Sequence, residues 1–250
     1  MNLKLIGNVA LLSLSIGSAF ATPIVAGPNT VILDNFNGST TGTAYGALSY
    51  ASSMSGFGQA GQFGPGNYVQ YTIGSLAQGT IEMWVNSIIA PSVNPDGLLT
   101  VNWANTAAEP ASGYILHFGT QAPGVVRTAA WPSGGATGTT SLNTGGVWTH
   151  LAASWGAAGT KVYVNGVLDG SSPTAMNIAF NPVNYVYLNY WGNGTFTRLI
   201  DELQISNIQL VDAVIASHAA KIPVPSTVWL IGIGVIALIH RQHLRIHAQV

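Results

Sequence analysis

The 250-residue chain contains no cysteine and very few charged residues. The missing cysteines exclude disulfide bonds, thiol nucleophiles and thiolate metal sites, so the fold has to be held together by packing. Asp, Glu, Lys and Arg make up 6% of the residues, against a usual share of about 25%, which excludes a coiled coil or long charged helices. In contrast, 48% of the residues are hydrophobic and 30 are glycine, enough for a sizeable core and many turns.

The few charges between residues 22 and 220 are predominantly negative. Three cations minus eight anions give a net charge of −5 for this segment. A negative surface is repelled by a phosphate backbone, so nucleic acid is excluded as a partner. The charged residues are Arg127, Lys161 and Arg198, and Asp34, Glu82, Asp96, Glu109, Asp169, Asp201, Glu202 and Asp212.

The N-terminus has the layout of a secretory signal peptide over residues 1–21. Lys4 is followed by a largely apolar run over residues 5–16, and Ala19 and Ala21 supply the small residues that signal peptidase requires before a cleavage site. An uncleaved anchor helix is the alternative, but the run is shorter than the ~20 residues that a membrane span needs. We therefore expect an exported mature chain.

The C-terminus divides into three short parts. Residues 218–226 form a linker with a Pro-x-Pro motif, residues 227–239 are apolar, and residues 240–250 form a basic tail with Arg241 and Arg245. As a helix, thirteen residues cover ~20 Å of a ~30 Å hydrocarbon core, so flanking residues would have to extend the span. The arginines favour the cytoplasmic side, which agrees with an exported body before them.

This order of parts resembles the PEP-CTERM sorting signal of bacterial exported proteins. The resemblance rests on the motif Pro223-Val224-Pro225, the short apolar helix and the basic tail. It implies transient anchoring in the inner membrane, recognition by an exosortase-type processing enzyme, and delivery to the cell surface or extracellular matrix. Val224 stands where the signal usually has glutamate, and a permanent membrane anchor is the alternative.

Residues 22–217 show the alternation of apolar and polar side chains that is typical of β-strands. In residues 79–86, Ile81, Met83 and Val85 share one face, while Glu82 and Trp84 lie on the other. Glycine, proline, asparagine and serine separate the runs, and Asn165-Gly166 predicts a type I′ hairpin turn. A short helix is predicted over 211–220 and a mobile loop over 133–146. Similar runs occur at 30–34, 67–72, 98–103, 114–118, 125–131, 148–155, 161–164, 185–191 and 199–205.

Five of these runs, taken in order, resemble the LamG-like jelly roll of the concanavalin A-like lectin and glucanase superfamily. They are residues 67–71, 79–85, 148–155, 161–170 and 199–206. The resemblance implies an all-β, antiparallel jelly-roll sandwich of two sheets, with loops and a concave face available to glycans. The superfamily includes binders, adhesion modules and hydrolases, so it implies no single activity. The short C-terminal helix and the hydrophobic anchor helix would follow this domain.

The sequence contains no pair of acidic residues at the spacing found in the glucanase members of this superfamily. Glycoside cleavage needs two carboxyl groups flanking one bond, and no Glu-x-Asp-x-x-Glu run occurs. Glu82 and Glu202 could share a face as a hidden pair, but polar residues on a solvated sheet face are the simpler interpretation. His117 and His150 lie in strands without a Gly-x-Ser-x-Gly elbow and are interpreted as sheet residues with hydrogen-bonded rings. We therefore expect a protein that is not an enzyme.

One metal site is conceivable, at Asp34 and Asp201. The first and last strands of a jelly roll are usually neighbours, so these two carboxylates could meet at one rim. Asp201 has the phase of Leu203 and Ile205 and would point inward, where it needs partners. A structural calcium ion would satisfy it, and so would a backbone amide. No other cofactor is expected.

Aromatic and amide side chains suggest a glycan site. Sugars stack their C–H faces on aromatic rings and pair their hydroxyls with polar groups. In residues 185–191, alternation places Val186, Leu188 and Tyr190 in the core. Trp84, Trp148 and Trp155 belong to the framework. The alternative is that the outward aromatic residues merely cover a sheet. The candidate glycan-binding residues are Tyr185, Tyr187, Asn189, Trp191, Trp131 and Trp103.

Together these observations predict an exported, non-enzymatic surface or extracellular-matrix protein. Its jelly-roll domain would bind polysaccharide or mediate adhesion, and its C-terminal signal would anchor it in the membrane at least transiently. Two alternatives stay open: a glycoside hydrolase or lyase of the same superfamily, and a purely structural matrix component.

Overall fold

The computed structural model describes residues 23–88, 96–102, 116–121, 124–130, 134–142, 144–176, 182–190 and 197–220. Over these residues the chain forms fifteen strands and one short helix. The strands β1 to β15 are Thr30–Asp34, Thr43–Tyr45, Ser49–Ser52, Gln59–Phe63, Tyr68–Ile73, Gly79–Ile88, Asp96–Val101, Leu116–Gln121, Val125–Ala130, Thr137–Ser141, Thr144–Gly156, Gly159–Val164, Val167–Ser172, Asn184–Leu188 and Arg198–Ser206, and helix α1 is Asp212–Ala219. The predicted signal peptide, C-terminal anchor and basic tail lie outside the described residues.

The strands form two antiparallel sheets. One has eight strands in the order β13-β12-β11-β6-β15-β4-β3, with β1 pairing β15 as the eighth. The other has seven strands in the order β10-β9-β8-β7-β14-β5-β2. The first and last strands are indeed neighbours, because Leu33 lies opposite Gln204 and Asp34 opposite Leu203. The predicted all-β sandwich of two sheets is confirmed.

The core fills the space between the two sheets, as the alternation predicts. In β6, Ile81, Met83 and Val85 all belong to the main core cluster and are fully buried. Val186 and Leu188 of β14 enter the same cluster from the opposite sheet. Each sheet therefore has an inner face in this core and an outer face directed away from it.

The hairpin between β12 and β13 forms as predicted. Asn165 and Gly166 have φ angles of 50° and 77°, as a type I′ turn requires. The predicted loop over 133–146 is wrong, because it contains strand β10. Asp169 of β13 holds that strand: it accepts hydrogen bonds from the Thr139 amide at 3.0 Å and from the Thr140 hydroxyl at 2.6 Å. These bonds tie an edge strand of one sheet to an edge strand of the other.

Helix α1 packs on the outer face of the eight-stranded sheet. Its only buried residue, Ile215, clusters with Ala152 and Tyr163 of the sheet. At its start, Asp212 accepts hydrogen bonds from the Lys161 ammonium at 2.8 Å and the Tyr163 hydroxyl at 2.9 Å. Tertiary contacts therefore hold this two-turn helix, which is too short to be stable alone. In the part of the chain that the structure describes, no helix is long and apolar enough to cross a membrane.

Candidate functional site

Four tyrosines gather on the outer face of the seven-stranded sheet. Tyr45 of β2 lies directly opposite Tyr68 of β5, and Tyr187 of β14 lies opposite Gln70 of β5. Tyr68 and Gln70 are two residues apart and share a face, so the three strands present their rings side by side. Tyr190 joins them just beyond the end of β14. These four residues, Tyr45, Tyr68, Tyr187 and Tyr190, are here named the tyrosine patch.

The rings of the tyrosine patch contact one another directly. Tyr45 and Tyr68 stack with ring centroids 4.6 Å apart and an interplanar angle of 9°. Tyr190 meets Tyr68 edge-on at 4.9 Å, and Tyr187 lies 5.2 Å from Tyr190 and 6.0 Å from Tyr68. Stacked and edge-to-face pairs at these separations stabilise one another. Tyr45 is 40% exposed, so its ring offers accessible aromatic surface at the edge of the patch.

Asparagines fix the backbone around the patch. The backbone N–H of Asn189 donates a hydrogen bond to the backbone carbonyl of Leu98 at 2.7 Å. The side-chain Nδ2 of Asn189 donates to the backbone carbonyl of Asn67 at 2.8 Å. Asn67, which precedes Tyr68, in turn exchanges two hydrogen bonds with the Ala47 backbone. These bonds tie the segments that carry Tyr45, Tyr68 and Tyr190. The Asn189 Oδ1 atom is buried and has no hydrogen-bond partner among the described residues.

Two of the predicted glycan-binding residues are buried in the structure. Tyr187 faces away from the core but is only 3% exposed, and its ring contacts those of Tyr68 and Tyr190. Asn189 is also buried, at 6% exposure. Tyr185 is half-buried on the same face. Glycan binding by these residues stays a prediction.

The predicted core position of Tyr190 is also wrong. The strand ends at Leu188 and Asn189 has a φ of 64°, so the alternation no longer applies beyond it. Tyr190 lies in the patch instead. The sequence did not predict Tyr45, because β2 is three residues long and shows no alternating signal. Tyr68 lies on the predicted strand β5, but only the pairing of β5 with β2 and β14 brings it beside the other tyrosines. Trp103, Trp131 and Trp191 lie outside the described residues, and their proposed roles stay predictions.

The outer face of the eight-stranded sheet is different, because it buries ionisable groups. Glu82, His150, Asp201 and Glu202 have 0% exposure. The interpretation of Glu82 and Glu202 as residues on a solvated face is therefore wrong. Helix α1 covers Glu82, and the N-terminal segment covers Glu202, whose Oε2 accepts a hydrogen bond from the Ile24 amide. Neither covering segment could be inferred from the alternation of the strands.

Glu82 is the centre of one polar cluster on this face. Its Oε2 lies 3.0 Å from Nδ1 of His218 on α1, and its Oε1 lies 3.6 Å from Nε2 of His150. The His150 ring meets Trp84 at 5.0 Å, and neither of its nitrogens has a hydrogen bond among the described residues. The predicted hydrogen-bonded ring is therefore wrong for His150. Burial, and secondarily His218, lower the pKa of His150 to about 3, so it is neutral at pH 7.

Asp201 lies on this outer face and not in the core as predicted. A register shift between Asp201 and Gln204, with Glu202 at a φ of 52°, changes the phase of β15. Asp201 consequently accepts hydrogen bonds from the Ser53 hydroxyl and, at 2.8 Å, from the Glu202 amide. Burial, opposed by the Ser53 bond, raises the pKa of Asp201 to about 8. The backbone amide is thus one of the partners that its burial required.

Asp34 is surrounded by hydrogen-bond donors. Its oxygens accept from the Tyr71 hydroxyl at 2.8 Å, the Thr41 amide at 2.9 Å and the Thr40 hydroxyl. Burial and the neighbouring Asp34 carboxylate raise the pKa of Tyr71 well above its usual value. Among the described residues, no group of three or more histidine or carboxylate side chains could hold a metal ion. Structural calcium at Asp34 and Asp201 stays a prediction.

Solved structures share this fold at low sequence identity. Domain 4 of AbnA, a GH43 extracellular arabinanase of Geobacillus stearothermophilus solved with arabinotriose, matches with a TM-score of 0.61 and 20% identity over 76% of this chain and 98% of that one. The sialidase of Trypanosoma rangeli matches with a TM-score of 0.53 and 13% sequence identity, over 81% of this chain and 35% of that one. Botulinum neurotoxin type C, whose cell entry depends on interaction with two ganglioside molecules, matches with a TM-score of 0.55 and 12% identity over 78% of this chain and 51% of that one.

These likenesses establish the fold alone, and the chain spans about half or less of the toxin and sialidase chains. No curated protein sequence matches the chain. A family model does: residues 63–216 match Laminin_G_3, described as the concanavalin A-like lectin/glucanases superfamily. Because this match covers more than half of the 250 residues, the protein belongs to the concanavalin A-like lectin/glucanase superfamily.

Proposed function

We propose that the protein is an exported, non-enzymatic surface or matrix protein whose jelly-roll domain binds polysaccharide through the tyrosine patch. The observation that carries the proposal is the mutual packing of four tyrosines on one outer sheet face, with Tyr45 left 40% exposed. Packing fixes the rings before a ligand arrives. A pre-ordered aromatic surface loses little conformational entropy on binding, which favours a flat, extended ligand such as a glycan chain.

The chemistry of the patch suits a sugar. Aromatic rings stack on the C–H faces of pyranose and furanose units, and tyrosine hydroxyls exchange hydrogen bonds with sugar hydroxyls. AbnA domain 4, which has a similar fold, was solved in complex with arabinotriose, and the neurotoxin depends on gangliosides for cell entry. Both are likenesses of fold, and they support the proposal by showing that sandwiches of this kind occur in glycan-recognising proteins.

The non-enzymatic part of the proposal rests on the acidic residues. Glu82 contacts His150 and His218, and Glu202 accepts a bond from Ile24, all beneath covering segments. Carboxyls in these positions cannot flank a glycosidic bond without displacement of α1 or the N-terminal segment. We expect no release of reducing sugar from any polysaccharide that the protein binds. Release that disappears in Glu82→Gln would support the hydrolase instead.

Export and anchoring are proposed from the sequence. We expect cleavage after Ala21, insertion of residues 227–239, and processing near Pro223, Val224 and Pro225 by an exosortase-type enzyme. Intact-mass measurement of the protein from membrane, surface and extracellular fractions tests each step separately. A surface form that ends before residue 227 supports processing, whereas a form that retains residues 227–250 in every fraction indicates a permanent anchor.

Binding is tested with the full chain, purified in a mild detergent, by affinity electrophoresis through gels that contain single polysaccharides. Tyr68 is the appropriate target because it contacts the other three tyrosines of the patch. We expect Tyr68→Ala to weaken retention by about tenfold or more, since stacking on one aromatic residue contributes roughly 1–2 kcal/mol. Val167→Ala is the matched control, as Val167 is 69% exposed on the other sheet. Equal retention of all three proteins would contradict the proposal.

A further inference from the structure

Most charges of the domain are unavailable to a ligand. Between residues 23 and 220 the sequence contains eleven formally charged side chains apart from histidine. Five of them are buried, and Lys161 and Asp212 form an ion pair with each other. The half-buried Asp169 accepts hydrogen bonds from Thr139 and Thr140. The five buried residues are Asp34, Glu82, Arg198, Asp201 and Glu202.

No lysine or arginine of this segment lies at the tyrosine patch. Lys161 and Arg198 belong to the eight-stranded sheet, and Arg198 is 3% exposed. Arg127 is on β9 of the seven-stranded sheet, three strands away from β14 and five from β2. At about 4.8 Å per strand, these spacings correspond to roughly 14 Å and 24 Å. Since the sequence holds only these three lysines and arginines between residues 23 and 220, the undescribed residues of the segment add none.

The groups that the patch does offer are uncharged. Thr43, Tyr45, Tyr68 and Gln70 lie on two paired strands, and each can donate or accept a hydrogen bond without carrying charge at neutral pH. A glycan with carboxylate or sulfate groups would lose hydration on this surface and find no cation to compensate for it. A neutral glycan loses only hydroxyl hydration, which neutral side chains can replace.

We infer that the tyrosine patch selects uncharged polysaccharide and disfavours acidic polysaccharide, and that its binding is nearly independent of salt. The inference rests on the proposed function, because it specifies the ligand class of that same site. Binding without ion pairs is not screened by salt, so the dissociation constant for a neutral polymer should change less than about twofold between 20 and 500 mM NaCl.

The test uses the full chain in mild detergent and compares neutral arabinan and β-glucan with polygalacturonate and alginate. Affinity electrophoresis at both salt concentrations measures each dissociation constant. We expect at least one neutral polymer to be retained, with an affinity at least about tenfold higher than for either acidic polymer. Tyr45→Ala should abolish that difference, because Tyr45 is the most exposed ring of the patch.

Two variants that each introduce one lysine, at the patch and far from it, test whether charge at the patch determines the ligand class. Thr43 is exposed on β2, two residues from Tyr45 and on the same face, so Thr43→Lys adds a cation at the patch. Ser141→Lys adds one at the exposed end of β10, the opposite edge of the same sheet. Only Thr43→Lys should gain salt-sensitive binding of polygalacturonate.

The possible failures are distinguishable. Tyr45-dependent retention of an acidic polymer by the unmodified protein, weakened by salt, overturns the neutral-ligand inference and leaves the proposed function in place. Equal gain of acidic binding in Thr43→Lys and Ser141→Lys also overturns the inference, because the added charge would then act without the patch. Retention of no polymer by the unmodified protein overturns both proposals.

Discussion

The outer faces of the two sheets have the same strand geometry, but one is covered and the other is partly exposed. On the eight-stranded sheet, helix α1 and the N-terminal segment cover buried acids and a buried histidine. On the seven-stranded sheet, the face at β2, β5 and β14 carries tyrosines and amides and stays partly exposed. We interpret the covered face as the part that sets stability and its pH dependence. We assign recognition to the open face.

The difference shows how a protein with few charges distributes them. Four of the eight anions between residues 23 and 220 are buried, and three of these four lie on the covered face. Substitutions on the covered face should therefore change stability and leave ligand affinity intact. Substitutions on the open face should weaken ligand affinity and change stability little.

The largest effect is expected for Glu82→Ala on the covered face. The substitution removes the partner of His218 and His150 and leaves a cavity beneath α1. We expect the free energy of unfolding at pH 7 to fall by about 3–5 kcal/mol, because the cost of the cavity adds to that of the hydrogen bond lost by His218. Urea denaturation followed by tryptophan fluorescence measures it. Glu82→Gln is the control, since it keeps the volume and an acceptor and should lose much less.

A smaller loss is expected for Ile215→Ala, which removes the buried contact of α1. Truncating a fully buried isoleucine costs about 2–4 kcal/mol when the surroundings do not collapse. Denaturation should remain a single transition if α1 is part of the cooperative unit. Val214→Ala, one position away and only half-buried, should cost less than about 1 kcal/mol. Equal losses for the two variants would mean that α1 does not stabilise the covered face.

The parts of the fold that local patterns specify were predicted from the sequence. Strand β6 and the Asn165-Gly166 turn depend on side-chain alternation and on residues that tolerate positive φ, and both can be recognised within a few residues. The covering of the eight-stranded sheet was missed, because α1 contacts Glu82 across 136 residues of sequence. Local alternation shows that Glu82 leaves the core, but it cannot show whether solvent or another segment meets it.

The candidate site was predicted only in part, and backbone irregularities explain why. Asn189 and Glu202 are non-glycine residues with positive φ, and each ends the regular alternation of a strand. Extrapolation past Asn189 placed Tyr190 in the core, and extrapolation past the bulge at Glu202 placed Asp201 there. Tyr45 was missed because three exposed residues form its strand. No periodic signal marks such positions, so only the register of the sheet could bring them together.

The pH dependence of stability offers a gentler test of the covered face. Burial raises the pKa of Asp201 from 3.8 to about 8, so its contribution is complete below about pH 3.8 and is lost as the pH rises through 8. Burial lowers the pKa of His150 from 6.5 to about 3, so its contribution is present above pH 6.5 and is lost as the pH falls through 3.

Between about pH 4 and 6.5, a rising pH lowers the stability contributed by Asp201 and increases that contributed by His150, so the two effects oppose each other. Between pH 6.5 and 8 only the loss from Asp201 remains. We expect the free energy of unfolding to fall in this upper window with a slope of up to about 1.4 kcal/mol per pH unit. Asp201→Asn should remove the slope, because the amide does not titrate. Urea denaturation at half-unit intervals measures it, and the same slope in both proteins would mean that another group titrates there.

The smallest stability effect is expected on the open face, for Tyr45→Ala. Tyr45 is 40% exposed and its main contact is the 4.6 Å stack on Tyr68, so its removal should cost about 1 kcal/mol or less. If the open face recognises the ligand, the same variant should lose about tenfold in glycan affinity, whereas Glu82→Gln should retain full affinity. Tyr45→Phe keeps the stack but removes the hydroxyl, and thereby separates ring stacking from hydrogen bonding. Because the ring supplies the apolar contact, we expect Tyr45→Phe to retain most of the affinity. A large loss of stability with unchanged affinity in Tyr45→Ala would assign this face to structure as well.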